Sequence, residues 1–184
     1  MKNRSDAELL QASREGSMAA FETLYWRHVG GLLAYAQGMT GDRAGAEDVL
    51  QEVWVGFARR VGELAPDTNV RAYLFAAARN RLFNAARSRR REMDMIGRAA
   101  ADGPTPPESG AAPDRALIAK ERERLLNEAL ANLDELDREI VLLHARAGLT
   151  FKEIAQGVNR PLATVASRYR RAMETMRDRL TEMP

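Results

Sequence analysis

The stretch that decides the fold runs from Thr150 to Arg171 and reads TFKEIAQGVNRPLATVASRYRR. Thr150 and Glu153 form a capping box, which predicts that a short helix begins there. Asn159 follows at the point where a left-handed turn residue is expected, and Asn tolerates that conformation better than most residues. Pro161 suits the first turn of a following helix. A short helix, a tight turn and a second helix are the arrangement of a helix-turn-helix motif.

The second helix of this motif has an apolar side and a basic side. Val165, Tyr169, Ala172 and Met176 are spaced as an inner stripe. In a helix-turn-helix the exposed side of this helix enters the major groove, where Arg, Ser and Thr can reach bases or phosphates. The alternative is an ordinary helical hairpin with a solvated basic face. The predicted DNA-facing residues are Thr164, Ser167, Arg168, Arg170 and Arg171.

The rest of the chain is also predicted to be helical, because apolar residues recur three and four positions apart. Residues 95–114 contain four of the seven prolines and three glycines, which is typical of a linker. We therefore predict an all-α protein with two small helical domains, residues 1–94 and 115–184, joined by a flexible linker. The predicted helix caps are Ser5 with Glu8, Ser17, Asp42, and either Asp134 or Asp137.

A basic segment covers residues 79–98, which hold seven Arg and two acidic residues. Tyr73, Phe75 and Phe83 lie in or just before this segment. Arg side chains and interleaved aromatic rings suit phosphate contact and base stacking on an opened DNA strand. Aromatic residues at helical spacing are also usual in a core, so for Phe75 and Phe83 both interpretations stay open.

An acidic face is predicted on the helix that follows Asp42. Asp48, Gln51 and Glu52 share one side of it by their three- and four-residue spacing. Paired carboxylates can act as general acid and base, but no metal-binding His, nucleophile or glycine-rich phosphate loop accompanies them. A solvated face and a docking face for a basic partner remain as interpretations.

Composition excludes several classes of protein. The 184 residues include no Cys and only two His, so disulfides, thiolate metal sites and His-rich metal sites are excluded. No apolar run approaches the length of a membrane span. The chain is expected to be cytoplasmic, to need no cofactor or metal, and to be no enzyme. His28 and His144 fall in helical periods and are predicted to be structural.

The order of these features resembles a bacterial RNA polymerase sigma factor of the extracytoplasmic-function (ECF) group, over roughly residues 17–92 and 120–181. The resemblance implies polymerase docking through Asp48, Gln51 and Glu52. It also implies promoter DNA, duplex and opened, as a partner, and an anti-sigma factor as a further partner. For the minus-thirty-five element it adds Arg160 to the DNA-facing residues above. The residues implied in reading and melting the minus-ten element are Asn69, Arg71, Tyr73, Arg79, Asn80, Phe83 and Arg87.

Some positions depart from the family pattern, and two other functions compete with this one. The departures are Asn84 in place of Asp, Asn159 in place of Gly, Arg160 in place of an apolar residue, and Ala166 in place of Lys or Arg. One competing function is a helix-turn-helix regulator that binds duplex DNA without polymerase. The other is a helical adaptor whose charged segments bind only proteins.

Overall fold

The computed structural model describes residues 4–96 and 114–182, and every regular element within those ranges is helical. The predicted all-α class is therefore confirmed. The helices are α1 (Asp6–Arg14), α2 (Met18–Thr40), α3 (Arg43–Arg60), α4 (Val70–Ile96), α5 (Asp114–Ala131), α6 (Glu135–Ala145), α7 (Phe151–Gly157) and α8 (Leu162–Glu182), with a short 3₁₀ turn at Val61–Glu63.

The helices of the first half begin at the predicted caps. Ser5 forms a capping box with Glu8, and Ser17 accepts a hydrogen bond from the Ala20 amide at the start of α2. The Asp42 carboxylate accepts from two backbone amides at the start of α3. Gly41 ends α2 with φ at 71°, a left-handed conformation that glycine adopts without a steric penalty.

The core of the first half lies between α2, α3 and α4. Leu24, Leu32 and Leu74 have no accessible surface, and Phe57 is almost fully buried beside them. The α1 helix is fastened to α2 through Asp6. Its carboxylate oxygens lie 2.5 Å from Arg27 Nη1 and 2.7 Å from His28 Nε2. This packing fixes α4 and the loop before it.

The second half packs α8 against α5, α6 and α7. Ile140, Ile154 and Val165 have no accessible surface and come from three different helices. Asp134 and Pro161 lie at the helix starts where they were predicted, but Asp134 does not cap through its side chain. Asp134 occupies the N-cap position of α6 but makes no capping hydrogen bond with its side chain. Pro161 precedes the first residue of α8, and its carbonyl accepts from the Val165 amide.

The predicted linker overlaps the helices at its ends. The α4 helix continues to Ile96 and α5 begins at Asp114, so 95, 96 and 114 are helical. Residues 97–113 lie outside the described residues. The division into domains at 1–94, 95–114 and 115–184 remains a prediction.

The two halves are in contact, which the sequence analysis did not predict. The α6 helix lies across α2, and α7 approaches α4. Buried side chains at this contact come from both halves, including Tyr35 on α2 and Glu139 on α6. The contact matters for function because it brings the second half onto the segment predicted to read the minus-ten element.

Candidate DNA-binding and polymerase-docking surfaces

The predicted helix-turn-helix is formed by α7, a tight turn and α8. Thr150 Oγ1 accepts from the Glu153 amide at 3.3 Å, and the Glu153 carboxylate accepts from the Thr150 amide at 2.8 Å. Asn159 adopts φ of 52°, the left-handed conformation that the turn requires. In the turn itself the Asn159 amide donates to the Gln156 carbonyl and the Arg160 amide to the Ala155 carbonyl, and α8 leaves the turn with one side in solvent.

The exposed side of α8 and its turn carries most of the predicted minus-thirty-five residues. Arg160, Arg170 and Arg171 are exposed, and Thr164 is half-buried. Ser167 is exposed and donates its hydroxyl hydrogen to the Thr164 carbonyl at 3.0 Å. Three guanidinium groups near one short polar stretch form a surface that can contact phosphates and base edges.

Arg168 is placed differently from its neighbours. Its Nη1 lies 2.7 Å from Asp137 Oδ1 and 2.9 Å from Asp134 Oδ2. These hydrogen bonds, first to Asp137 and then to Asp134, raise the pKa of Arg168 above its ordinary value. The Asp134 carboxylate that was predicted to cap α6 is instead used here. Arg168 therefore ties α8 to the start of α6, with only 29% of its side chain exposed.

The predicted minus-ten residues lie along α4 and at the end of the loop before it. Asn69 Oδ1 accepts from the Ala72 amide at 3.0 Å, so this side chain caps α4. The Asn69 amide nitrogen also donates to Glu153 Oε1 at 2.7 Å. Arg71 Nη1 donates to the Gly148 carbonyl at 2.9 Å. Both contacts cross from the first half of the chain to the second.

Arg79 makes a third contact between the halves. Its Nε lies 2.5 Å from Glu139 Oε1, and the Tyr35 hydroxyl donates to the same oxygen at 3.4 Å. Burial raises the pKa of the Glu139 carboxyl, although Arg79 opposes that shift. On its other side the Arg79 guanidinium lies 4.6 Å from the centre of the Phe83 ring, in cation–π geometry.

The remaining α4 residues divide between core and surface. Phe75 is 2% exposed and belongs to the core, which resolves one of the two alternatives left open for it. Tyr73 is half-buried, with its ring centre 5.9 Å from that of Phe57. Asn80 and Arg87 are exposed and can meet a ligand. Basic and polar groups thus follow one side of α4.

The predicted acidic face is present on α3. Asp48, Gln51 and Glu52 are all exposed. Glu52 Oε2 lies 2.6 Å from Arg81 Nη1 on α4, in a surface ion pair. Trp54 is buried on the opposite side of α3. Asp48 and Gln51 therefore face solvent, where a basic partner can reach them, whereas Glu52 is paired with Arg81.

A cleft of about 730 Å³ adjoins the start of α4. Asn69 and Arg71 line one part of it, and Arg27, His28 and Arg146 line another. Burial lowers the pKa of His28, and the Asp6 carboxylate opposes that shift. Asp6 and Asp67 also line the cleft, so its lining carries both positive and negative groups.

Glu139 and its partner Tyr35 were missed by the sequence reasoning. A signal for Glu139 exists, because it is spaced three and four residues from Leu136 and Leu143 and so falls on the apolar side of α6. An acidic residue on an apolar helix face predicts a buried ion pair. Nothing in the local sequence identifies Arg79 as its partner, because the two residues are 60 positions apart.

Two features are absent from the described ranges, residues 4–96 and 114–182. No helix there combines the length and the apolar character that crossing a membrane requires. No three His, Asp or Glu side chains in that part of the chain are grouped as metal ligands would be.

Comparisons with known proteins match both halves. Residues 24–92 match the family Sigma-70 region 2, and residues 123–176 match Sigma-70, region 4. The ECF RNA polymerase sigma factor SigL of Mycobacterium tuberculosis is 34% identical over 171 residues, covering 90% of this chain and 91% of SigL. The RNA polymerase sigma factor CarQ of Myxococcus xanthus is 31% identical over 176 residues, covering 95% of this chain and 97% of CarQ.

A solved structure has the same fold. It is the sigma factor RpoE in complex with the anti-sigma factor NepR from Bartonella quintana. The structures superpose with a TM-score of 0.71 over 89% of this chain and 98% of RpoE, at 22% sequence identity. Both Sigma-70 regions match in order, SigL and CarQ are matched over most of their length, and the geometry described above agrees with them. The chain therefore belongs to the ECF group of RNA polymerase sigma factors.

Proposed function

We propose that this sigma factor divides promoter recognition between the two surfaces described above. The exposed side of α8 and its turn contacts the minus-thirty-five element as duplex DNA. The α4 helix and the preceding loop contact the minus-ten element and hold it open. The observation that carries the proposal is the presence of two separate basic, exposed helix faces in one chain, one of them on the second helix of a helix-turn-helix.

The minus-thirty-five contacts are assigned by exposure. Arg160, Arg170 and Arg171 supply the positive charge that phosphates and guanine edges attract, and Thr164 and Ser167 lie between them. Arg168 acts as a positioning residue, because Asp134 and Asp137 hold its guanidinium. The minus-thirty-five residues, with Arg168 in that indirect role, are Arg160, Thr164, Ser167, Arg168, Arg170 and Arg171.

The minus-ten contacts depend on a base leaving the stack. Asn69 lies at the mouth of the 730 Å³ cleft and carries an amide that can hydrogen-bond a base edge. Arg71, Asn80 and Arg87 then hold the strand through phosphates and base edges. Phe83 is half-buried under the Arg79 guanidinium and offers a stacking surface when that guanidinium moves away.

Polymerase docking is assigned to the acidic face of α3. Asp48, Gln51 and Glu52 are exposed, and the helix packs through its opposite side. A basic surface of the core polymerase is the matching partner, since charge complementarity guides such association.

The chain itself carries out no catalysis, because bond formation belongs to the core enzyme, and it acts in the cytoplasm where the chromosome is. An anti-sigma factor is a further expected partner.

Core binding and transcription in vitro test this proposal. Asp48→Lys should weaken association with core polymerase, whereas Glu15→Lys should not, because Glu15 lies at the end of α1 and is not part of the acidic face of α3. Both variants change the net charge equally, so the comparison separates the acidic face of α3 from an exposed acidic residue on another helix. Equal affinities for the two variants would refute the docking assignment. Sequence-specific duplex binding without any polymerase association would favour a regulator that acts alone.

A further inference from the structure

One ion pair joins the acidic face of α3 to α4. Glu52 Oε2 lies 2.6 Å from Arg81 Nη1, although the two residues are 29 positions apart in the sequence. The exposed fraction of the side chain is 57% for Glu52 and 51% for Arg81, so the pair lies at the surface. Glu52 belongs to the proposed docking face, whereas Arg81 is on the helix proposed to hold the minus-ten element. The pair therefore connects the two proposed functions.

Arg81 lies at the border between the packed side and the open side of α4. Leu74, two turns earlier, has no accessible surface, whereas Asn84, one turn later, is exposed. Asn80, directly before Arg81, is exposed as well. A guanidinium on a long stem at this border can turn toward α3 or toward a strand that lies along Asn80 and Asn84. In the free chain it turns toward α3.

The pair between Arg81 and Glu52 is one that a competing cation can break. Arg81 has no second carboxylate partner among the side chains that the structure describes, and Asn84 beside it is neutral. An exposed ion pair is weak, so its loss changes an equilibrium by about fivefold at most. Arg79, in contrast, pairs with the fully buried Glu139, which an incoming cation cannot reach. A cation that approaches Glu52 from solvent can therefore displace Arg81.

Docking on a basic surface of the core polymerase would supply such a cation. The proposed function brings positive charge to Asp48 and Glu52, and like charges at short range repel. Glu52 then pairs with the polymerase, and Arg81 turns to the nearest phosphate of the strand along α4. Glu52 is paired before and after this exchange, so no carboxylate is left without a partner. The exchange adds one phosphate contact when DNA is present.

We infer that Arg81 is a further promoter-contact residue, which Glu52 holds in the free chain and which polymerase docking releases to a DNA phosphate. This role rests on the proposed function, because it requires docking through α3 and DNA contact along α4. Phosphate contacts carry no sequence information, so Arg81 contributes affinity and not selectivity. The coupling is reciprocal, because release of Arg81 by DNA also frees Glu52 for the polymerase.

Affinity for core polymerase without DNA measures the competition for Glu52. Arg81→Gln should tighten core binding by about two- to fivefold, because it leaves Glu52 free for the polymerase. Arg124→Gln is the matched control and should not tighten it. Arg124 is also 51% exposed and also paired, with Glu121 at 2.6 Å, but it lies on α5. In a Glu52→Gln background, Arg81→Gln should no longer change core affinity.

Binding of the free chain to a fluorescein-labelled oligothymidine measures the release of Arg81. Glu52→Gln should tighten this binding by about two- to fivefold, because it frees Arg81. The slope of log affinity against log salt concentration should become steeper by about 0.7, the value for one phosphate contact on a single strand. Glu47→Gln is the control with the same charge change, because it frees Arg43 on α3 instead. Adding Arg81→Gln to Glu52→Gln should cancel the gain.

Two results would overturn the role of Arg81. One is equal core affinity of Arg81→Gln and Arg124→Gln, and the other is equal oligothymidine affinity of Glu52→Gln and Glu47→Gln. Asp48→Lys, measured beside them, separates this failure from failure of the proposed function. If Asp48→Lys weakens core binding while either equality holds, docking through α3 stands and the exchange at Arg81 is wrong. If Asp48→Lys binds core normally, docking through α3 is wrong and the exchange is wrong with it.

Discussion

Asn69 has two roles in this account, and two substitutions separate them. Its Oδ1 caps α4 through the Ala72 amide at 3.0 Å, and its side-chain nitrogen is the donor proposed to meet an extruded base. Asn69→Ala removes both groups. Asn69→Asp keeps a capping oxygen, because Asp and Asn are equally good caps, but removes the donor. The two variants therefore have the same deficit toward DNA and different deficits in the fold.

The expected magnitudes follow from these contacts. Loss of a cap costs about 1 kcal/mol, within a range of roughly 0.5–2 kcal/mol. For a chain of this length that lowers Tm by about 2–4 °C in Asn69→Ala. In Asn69→Asp the cap is kept, but the new carboxylate lies against Glu153, to which Asn69 donates at 2.7 Å, so at pH 7 Tm falls through that repulsion instead. Loss of one hydrogen bond to a base, worth about 1 kcal/mol, should slow strand opening about fivefold in both variants.

Thermal melting and permanganate footprinting of core-bound promoter complexes provide the assay. Glu63→Gln is the control and should leave both readouts unchanged, because Glu63 is exposed just before this loop and does not line the cleft. Strand opening at the unmodified rate in Asn69→Asp, with slow opening and a lowered Tm in Asn69→Ala, would show that Asn69 is only a cap. That result would refute the reasoning about the base contact.

Three further predictions address other parts of the molecule. Asp48→Lys should weaken binding to the core polymerase. Helix content measured by circular dichroism should not change, because exposed substitutions alter stability by less than about 0.5 kcal/mol. Unchanged affinity for the core polymerase would contradict docking through α3. Arg171→Ala should weaken binding to minus-thirty-five DNA by roughly 1–3 kcal/mol in a titration if Arg171 contacts a base. If Arg171 contacts only phosphate, the slope of log affinity against log salt concentration should fall by about one. Arg179→Ala, in the last turn of α8, should change neither quantity. Burial lowers the pKa of His28, so the stabilisation from its neutral ring is complete above its ordinary pKa of about 6.5 and is lost as the pH falls through its pKa in the folded protein. The free energy of unfolding in urea should therefore fall less between pH 7.5 and pH 5.5 in His28→Gln than in the unmodified chain. An equal fall in both proteins would contradict this prediction.

The local features of the fold could be predicted from the sequence because short-range chemistry determines them. The capping boxes at Ser5 and Thr150 are formed, and Asn159 has the left-handed turn conformation. Each depends on residues within three or four positions. The exposed side of α8 was predicted in the same way, from the residues opposite the buried Val165 and Ala172.

The features that were not predicted depend on long-range contacts. Arg79 was predicted from its charge to face DNA, yet it pairs with Glu139, 60 residues later. Arg168 was predicted to be on the open face, yet Asp134 and Asp137 hold it. Helical spacing shows which side of a helix a residue occupies, but not which other helix covers that side. The contact between α2 and α6, where Leu142 lies 2.7 Å from the position of a Cβ on Gly38, could not be predicted without knowing where α6 packs.

Open-complex formation with core polymerase on a library of bacterial promoters tests the central claim most directly. Core polymerase with this chain should melt a limited set of promoters, with permanganate-reactive thymines at the minus-ten element, and neither core nor chain alone should do so. Exchange of α8 surface residues should change the upstream sequence that is selected. A chain that never associates with core polymerase, or core complexes that show no melting on any promoter, would contradict the account.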